Sequence, residues 1–384
     1  MIDRRTLLVR GGLTALATGL VPRMAFARAE TDKRFVFIIQ RGAADGLGIV
    51  APVGDTAFAA QRGALAVDFV TATRLDSTFA LHPAMTRTLA LHRERQALFV
   101  HAVASPYRDR SHFDGQNVLE TGGQGAYQLK DGWLNRMLGL LPSGEAKAIA
   151  ISATVPLALR GAHEVSSYAP SALPQASDDL LARVSMLYQG DSGLHALWSE
   201  ALSTRQLTGD LTGDNGRNGA ATGALAARLL AAPEGARIAT IETGGWDTHT
   251  GQRARLAANL KGLDAMIGAL RDGLGTAWAD TTVLVATEFG RTVAVNGTGG
   301  TDHGTGAVAM LMGGSVTGGR VVADWPGLAT EQLLESRDLR PTTGLDAVIA
   351  GAVASTYAID GTRVAQALFP SGNAGPPLHD LIRG

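Results

Sequence analysis

Short apolar runs recur along the chain, and most of them stop at a polar corner punctuated by glycine. Residues 34–40 (RFVFIIQ) form a continuous run of strand length, which predicts a central strand buried on both faces. Runs at 97–103 (ALFVHAV), 237–242 (RIATIE), 283–285 and 308–312 predict further buried strands, with shorter ones at 148–152, 156–160 and 320–324. Between them, Leu256, Leu260, Leu263, Ile267 and Leu270 repeat at helical spacing and predict an amphipathic helix over 252–276. Helices are also predicted at 81–95, from Ser111, and at 133–141, 177–204, 219–232, 342–355 and 362–368. The stretch 50–78 is weakly patterned and allows a hairpin, and 208–218, rich in Gly, Asp and Asn, reads as an exposed loop. Strands alternating with helices imply an α/β fold of right-handed βαβ units on a mostly parallel sheet.

Composition narrows the chemistry. A net charge of -1 supplies no basic field for nucleic acid, and 45% hydrophobic residues in 384 suffice for a large core. With no cysteine, disulfides, thiolate metal sites and cysteine nucleophiles are excluded, so any bound cation needs N and O ligands. Paired Arg4-Arg5 precede a Gly- and Ala-rich apolar run over 11–21 and the small-x-small pattern Ala25-Phe26-Ala27. That layout reads as a twin-arginine export signal over 1–29, too short and glycine-rich for a stable membrane anchor. The expected product is a single domain over 30–384, periplasmic or secreted.

Charged residues gather at the strand ends. Arg41 and Asp45 follow the first run, and Arg108, Asp109, Arg110, Ser111, His112 and Asp114 follow the run at 97–103. Asp247 and His249 follow 237–242; Glu288 and Arg291 follow 283–285, with Asp302 and His303 before 308–312. In open α/β sheets, sites lie outside the carboxyl ends of the strands. Carboxylates and neutral imidazoles meeting there can hold divalent cations for hydrolysis. Each element also has a plain structural reading: Asp45 as a turn residue, Ser111 as a helix cap, Glu288 paired with Arg291, His249 bonded to a backbone carbonyl, and Asp302 fixing the tautomer of His303.

Taken in order, RRTLL, RGAADGL, RSHFDGQNVLETG, GGWDTH and TEFGRT…GTDHG resemble the bacterial domain-of-unknown-function family 1501 across essentially the whole mature chain. That family is related to the alkaline phosphatase and sulfatase superfamily. The resemblance implies a three-layer α/β/α sandwich with metals at the strand ends. It places the first-strand carboxylate on Asp45 and the nucleophile on Ser111 with His112 beside it. It further implies metal ligands at Asp247, His249 and His303, and the Asp-His dipeptide of a second metal on Glu288-Phe289. Asp302 completes the candidate metal set. Phe289 departs from the pattern, because a phenyl ring cannot coordinate. The absence of cysteine also rules out a cysteine-derived formylglycine.

The expected activity is metal-dependent hydrolysis of phosphate or sulfate esters, with zinc, manganese or calcium as cofactor and an anionic ester, small or polymeric, as substrate. Arg41, Arg108, Arg110 and Arg291 are candidates to hold the anion. Export machinery of the twin-arginine route is the expected partner. Phe289 keeps open a second reading, a catalytically inactive sandwich serving as a periplasmic binding or assembly protein. A metal-free serine hydrolase using Ser111, His112 and a carboxylate lacks the Gly-x-Ser-x-Gly elbow.

Overall fold

Alternation along each long strand decides which layer covers it. In the strand β1 (Arg34–Gln40), Phe35, Phe37 and Ile39 enter one core cluster while Val36 and Ile38 enter another on the opposite face. The computed structural model describes residues 32–142, 147–169, 178–191, 193–195, 197–199, 202, 218–232, 235–372 and 375–383. The signal read at 1–29 and nearly all of the loop expected at 208–218 lie outside these residues. Asp32–Gly384 forms one compact unit.

The remaining strands are β2 (Val50–Ala51), β3 (Ala80–Leu81), β4 (Ala97–Ala104), β5 (Ala148–Ile151), β6 (Ser166–Ser167), β7 (Ile238–Thr243), β8 (Thr281–Thr287), β9 (Ala307–Met312), β10 (Arg320–Val322) and β11 (Thr343–Gly344). Among the described residues, nine of them build one sheet in the order β10-β4-β9-β8-β1-β7-β5-β6, with β11 also paired to β4. The strands β2 and β3 form the separate small hairpin allowed at 50–78. Among the described residues the longer α-helices are α1 (Thr86–Arg93), α2 (His112–Thr121), α3 (Trp133–Leu138), α4 (Asp178–Tyr188), α5 (Gly219–Ala231), α6 (Gln252–Leu274), α7 (Leu345–Tyr357) and α8 (Gly361–Leu368), with three short helical segments, Gly46–Ile49, Phe58–Arg62 and Gly63–Phe69, before β3. Leu225 and Leu229 of α5 and the Leu256 to Leu270 stripe of α6 bury against Val36, Val283 and Ile241. On the other face, Trp133 of α3, Val348 and Val353 of α7 and Leu368 of α8 pack on Phe37, Leu284 and Ile238. Helices thus cover both faces of the sheet, giving the three-layer sandwich expected.

Two departures bear on the site. The strand β9 runs antiparallel to both of its neighbours, β4 and β8. The connection from β8 contains no helix and closes on itself through Gly290 N to Thr305 O (2.9 Å) and Thr292 N to Asp302 O (2.8 Å). A link of that kind returns a strand antiparallel, so Glu288 and His303 stay at the same sheet edge. Second, residues 156–160, expected as an edge strand, form a 3-10 turn over Leu157–Leu159 led by Pro156, and Ser166–Ser167 takes the edge instead.

Pairing between β4 and β9 shifts register between His101 and Val103, with Ala102 at φ 54°. The shift turns His101 inward. Its Nδ1 accepts the Ala102 amide at 2.7 Å, so Nε2 carries the hydrogen and donates to Val50 O at 2.8 Å. The ring stacks on Phe79 and meets Trp325 edge-on. Burial pushes the His101 pKa down to about 4. The unfolded chain binds this proton near pH 6.5 and the folded chain only near 4, so folding stability falls as pH drops through that window. The contribution is roughly 3 kcal/mol over the whole interval. Urea titrations from pH 7 to 4 are expected to show this slope, and His101→Phe should flatten it by about one proton while lowering stability at pH 7; an unchanged slope would exclude His101 as its source.

Candidate metal centre

Three strand ends converge on Glu288, which leaves the end of β8 fully buried. Its Oε1 accepts the Gly42 amide from the end of β1 (2.8 Å), His112 Nδ1 from the first turn of α2 (2.9 Å) and Gln116 Nε2 one turn later (3.3 Å). Its Oε2 accepts Thr287 Oγ1 at 2.9 Å. Burial alone would push this carboxyl up; the His112 ring, the Glu288 and Gly42 amides and the Gln116 side chain outweigh it and hold the pKa below the usual glutamate range. Gly42 is required here twice over, since it sits at φ 116° and a Cβ would stand 2.7 Å from the Asp247 nitrogen.

Three imidazoles and one carboxylate meet above this base. His112, Asp247 and His303 each offer a ligand atom, and all three atoms lie within 4.8 Å of one another. His249 Nε2 lies 3.0 Å from His303 Nε2 and 2.9 Å from Asp247 Oδ1. The far nitrogen of each ring faces a group that can only accept. His112 Nδ1 faces Glu288, His249 Nδ1 faces Asp302 Oδ1 (2.9 Å), and His303 Nδ1 faces the Arg110 carbonyl (3.0 Å). In the neutral rings Nδ1 therefore holds the hydrogen, and all three Nε2 atoms turn lone pairs toward Asp247. His112 Nε2 is buried, makes no hydrogen bond, and lies 3.4 Å from Asp247 Oδ2. Arg291 brings one positive charge to Asp247, and Glu288 raises the His112 pKa so that protonation can bring another; a bound cation would engage the Nε2 lone pairs in their place. His112, His303 and Asp247 supply two imidazole nitrogens and a carboxylate, with His249 Nε2 beside His303 and Asp247, and N and O donors of this kind fit a zinc-type cation.

Arg291 and Asp302 support the set rather than join it. Arg291, almost fully buried, donates to Asp247 Oδ1 at 2.6 Å, to Thr301 Oγ1 at 3.2 Å and to the Thr301 carbonyl. Burial works against ionising Asp247, but Arg291 outweighs it and keeps the carboxyl below the usual aspartate range. Hydrogen bonds from His249 and Asn296 hold Asp302 low in the same way. Asp45 stands outside the cluster: it is buried in an ion pair with Arg62 and accepts from Gln252. Gln252 in turn accepts from Thr248 (2.9 Å) and Thr301 (2.6 Å), so Asp45 reaches the site only through this chain of side chains.

The arginines divide sharply. Arg41 is taken by Glu120 and Glu242, Arg110 by Glu335 and Asp338, and Arg291 by Asp247. Arg108 donates only to the Ser105 and Tyr107 carbonyls and is exposed, with no ion pair among the described residues. Ser111 is the N-cap residue of α2, yet its side chain makes no capping bond; its amide donates to Tyr107 Oη at 3.1 Å. The side-chain helix cap that Ser111 allowed does not form. Phe289 fills the space beneath the rings, stacked on His112 (5.1 Å, 25°) and tilted against His303 (5.4 Å). Gly115 makes room for it, because a Cβ there would come within 2.9 Å of the Phe289 ring. Sequence reasoning missed Gln116, although its place one helical turn after His112 is the signal that could have found it.

A family model described as a protein of unknown function (DUF1501) matches residues 32–367. The chain belongs to that family. No curated protein matches the DUF1501 chain. Solved structures resemble it loosely: Ps i-CgsB in complex with k-i-k-neocarrahexaose is 10% identical over 75% of this chain and 68% of that one, with a TM-score of 0.41. The zinc complex of the C-terminal periplasmic domain of EcEptC from Escherichia coli is 10% identical over 74% of each chain (TM-score 0.34). Alkaline phosphatase from the Antarctic bacterium TAB5 is 11% identical over 76% of this chain and 95% of that one (TM-score 0.37). No helix among the described residues is long and apolar enough to cross a membrane.

If Glu288 fixes the His112 ring, Glu288→Gln should weaken cation binding about 10- to 100-fold, the usual cost of losing a carboxylate behind a ligating histidine. Competition with a chelator measures this directly. Equal affinity in the variant would remove Glu288 from that role.

Proposed function

We propose that this DUF1501 protein is a metal-dependent hydrolase of phosphate or sulfate esters, working with one cation. The observation that carries the reading is the orientation of His112, His249 and His303, whose Nε2 lone pairs all face Asp247 because Glu288, Asp302 and the Arg110 carbonyl occupy their Nδ1 sides. Those four residues would hold the cation. Three imidazoles suit zinc or manganese far better than calcium, which prefers oxygen ligands. When bound, the cation polarises the ester oxygen and lowers the pKa of a nearby hydroxyl.

Ser111 is the nucleophile in this reading. It directly precedes His112 in the chain, and its hydroxyl is free of the capping bond that would otherwise occupy it. Its Oγ bonds to phosphorus or sulfur, the bond to the ester's alcohol oxygen breaks, and water later releases the acid and restores the serine. Arg108, alone among the four candidate arginines in making no ion pair among the described residues, is the group left to bind the ester's anionic oxygens. Export by the twin-arginine route, read from Arg4-Arg5 and the run after them, places the enzyme in the periplasm or outside the cell.

Phe289 favours a second reading, a sandwich that binds but does not turn over. Its ring occupies the place where the resemblance puts a ligand for a second cation.

Elemental analysis of purified protein should find one zinc or manganese per chain, and 4-nitrophenyl phosphate or sulfate should be hydrolysed. Ser111→Ala should keep the metal and lose turnover at least a thousandfold, on the order expected for a nucleophile. His303→Ala should lose both. Full turnover in Ser111→Ala would end the assignment, and a metal-loaded, inert wild type would favour the binding reading.

A further inference from the structure

One rigid unit joins the nucleophile to a candidate ligand. The peptide between Arg110 and Ser111 offers its carbonyl to His303 Nδ1 at 3.0 Å, and its amide donates to Tyr107 Oη at 3.1 Å. Because a peptide is planar, neither end can turn without the other. Arg110 sits at φ 59°, a backbone region that a residue with a side chain keeps only when its surroundings hold it there. The holding group is Asp338, which is fully buried. Its Oδ2 accepts Arg110 Nε at 2.9 Å, lies 2.9 Å from Arg110 Nη2 and accepts Thr305 Oγ1 at 2.8 Å. Thr305 follows His303 by two residues, so one carboxylate oxygen ties the loop of the nucleophile to the loop of the histidine.

Asp338 is itself presented by a strained turn. Leu334 and Asp338 exchange backbone hydrogen bonds at 2.9 and 3.0 Å, and between them Glu335 and Ser336 take φ of 54° and 53°. Tight turns of this hand normally recruit glycine, asparagine or aspartate. Glu335 adds its own carboxylate to Arg110 Nη2 at 2.6 Å, and Arg337 donates to the other Asp338 oxygen at 3.0 Å. Three left-handed residues therefore converge on one guanidinium beside Ser111, and strain gathered in this way is characteristic of functional sites.

We infer that Asp338 is a positioning residue: by gripping Arg110 it fixes the peptide that places both Ser111 and the His303 ring relative to the cation; this rests on the hydrolase reading above. Asp338 acts only through Arg110, so its loss displaces the reacting groups while leaving all of them present. A misplacement of about one ångström far from the chemistry can cost on the order of a hundredfold in rate.

Cobalt(II) is the probe, since its visible absorption reports ligand geometry without turnover. Hydrolysis of 4-nitrophenyl phosphate and sulfate is read in parallel. Asp338→Asn preserves side-chain size but removes the charge that grips Arg110. It should still take up cobalt, with an altered spectrum, and kcat should fall about 10- to 100-fold while KM stays within about twofold. Arg110→Gln should do the same from the other side of the pair, and keeps the test open if Asp338→Asn does not fold. The double variant should lose no more than either single one, because both substitutions break one contact. Unchanged cobalt spectra in both single variants would overturn the role of Asp338, as would additive losses in the double variant. Altered spectra in a protein that hydrolyses neither ester would keep the hold of Asp338 on His303 and remove the hydrolase reading. A wild type that takes up no cobalt would overturn that role together with the cation.

Discussion

The site depends on a buried negative charge at Glu288. A carboxylate taken fully out of water costs several kcal/mol unless it is hydrogen-bonded by groups fixed around it. Here the donors come from three different strand ends: the Gly42 amide after β1, His112 and Gln116 after β4, and Thr287 at the end of β8. Any of these loops that moves away takes part of that charge's hydrogen bonding with it. The carboxylate therefore acts as a common anchor, and it holds one of the three imidazoles whose other nitrogen faces Asp247.

The large elements were legible because each carries a strong local signal. Continuous apolar runs marked β1, β4, β8 and β9, and the leucine stripe marked α6, since burial on two faces or one leaves different periodicities. The direction of β9 was not legible: nothing local to residues 308–312 encodes it, and it follows from a long helix-free connection whose base zips together. The turn at Leu157–Leu159 was misread as a strand because so short an apolar run fits either.

At the site, residue types were readable and ranks were not. Asp247, His249, His303 and His112 do meet, as do Glu288 and Asp302, but two of the carboxylates stand behind histidines instead of beside them. Spacing along the chain cannot distinguish a carboxylate that would touch a cation from one that orients an imidazole; both need the same strand end. Asp45 shows the limit most clearly. It follows its strand as a ligand would, yet Arg62, seventeen residues on, captures it. The arginines were overcounted for the same reason, since the partners of Arg41 and Arg110 are remote in sequence: Glu120 and Glu242, and Glu335 and Asp338.

The contact between Gly115 and Phe289 makes those two positions exchange volume. With a phenyl ring at 289, even a methyl group at 115 has no space. An imidazole at 289 would be smaller and would leave an unfilled gap beside Gly115, which close-packed interiors penalise. A smaller ring at 289 is thus matched only by more volume at 115, and either change made alone gives a less well packed protein. The floor of the site is thus fixed by two side chains at once, and the volume of Phe289 is set by its neighbour as well as by the rings above it.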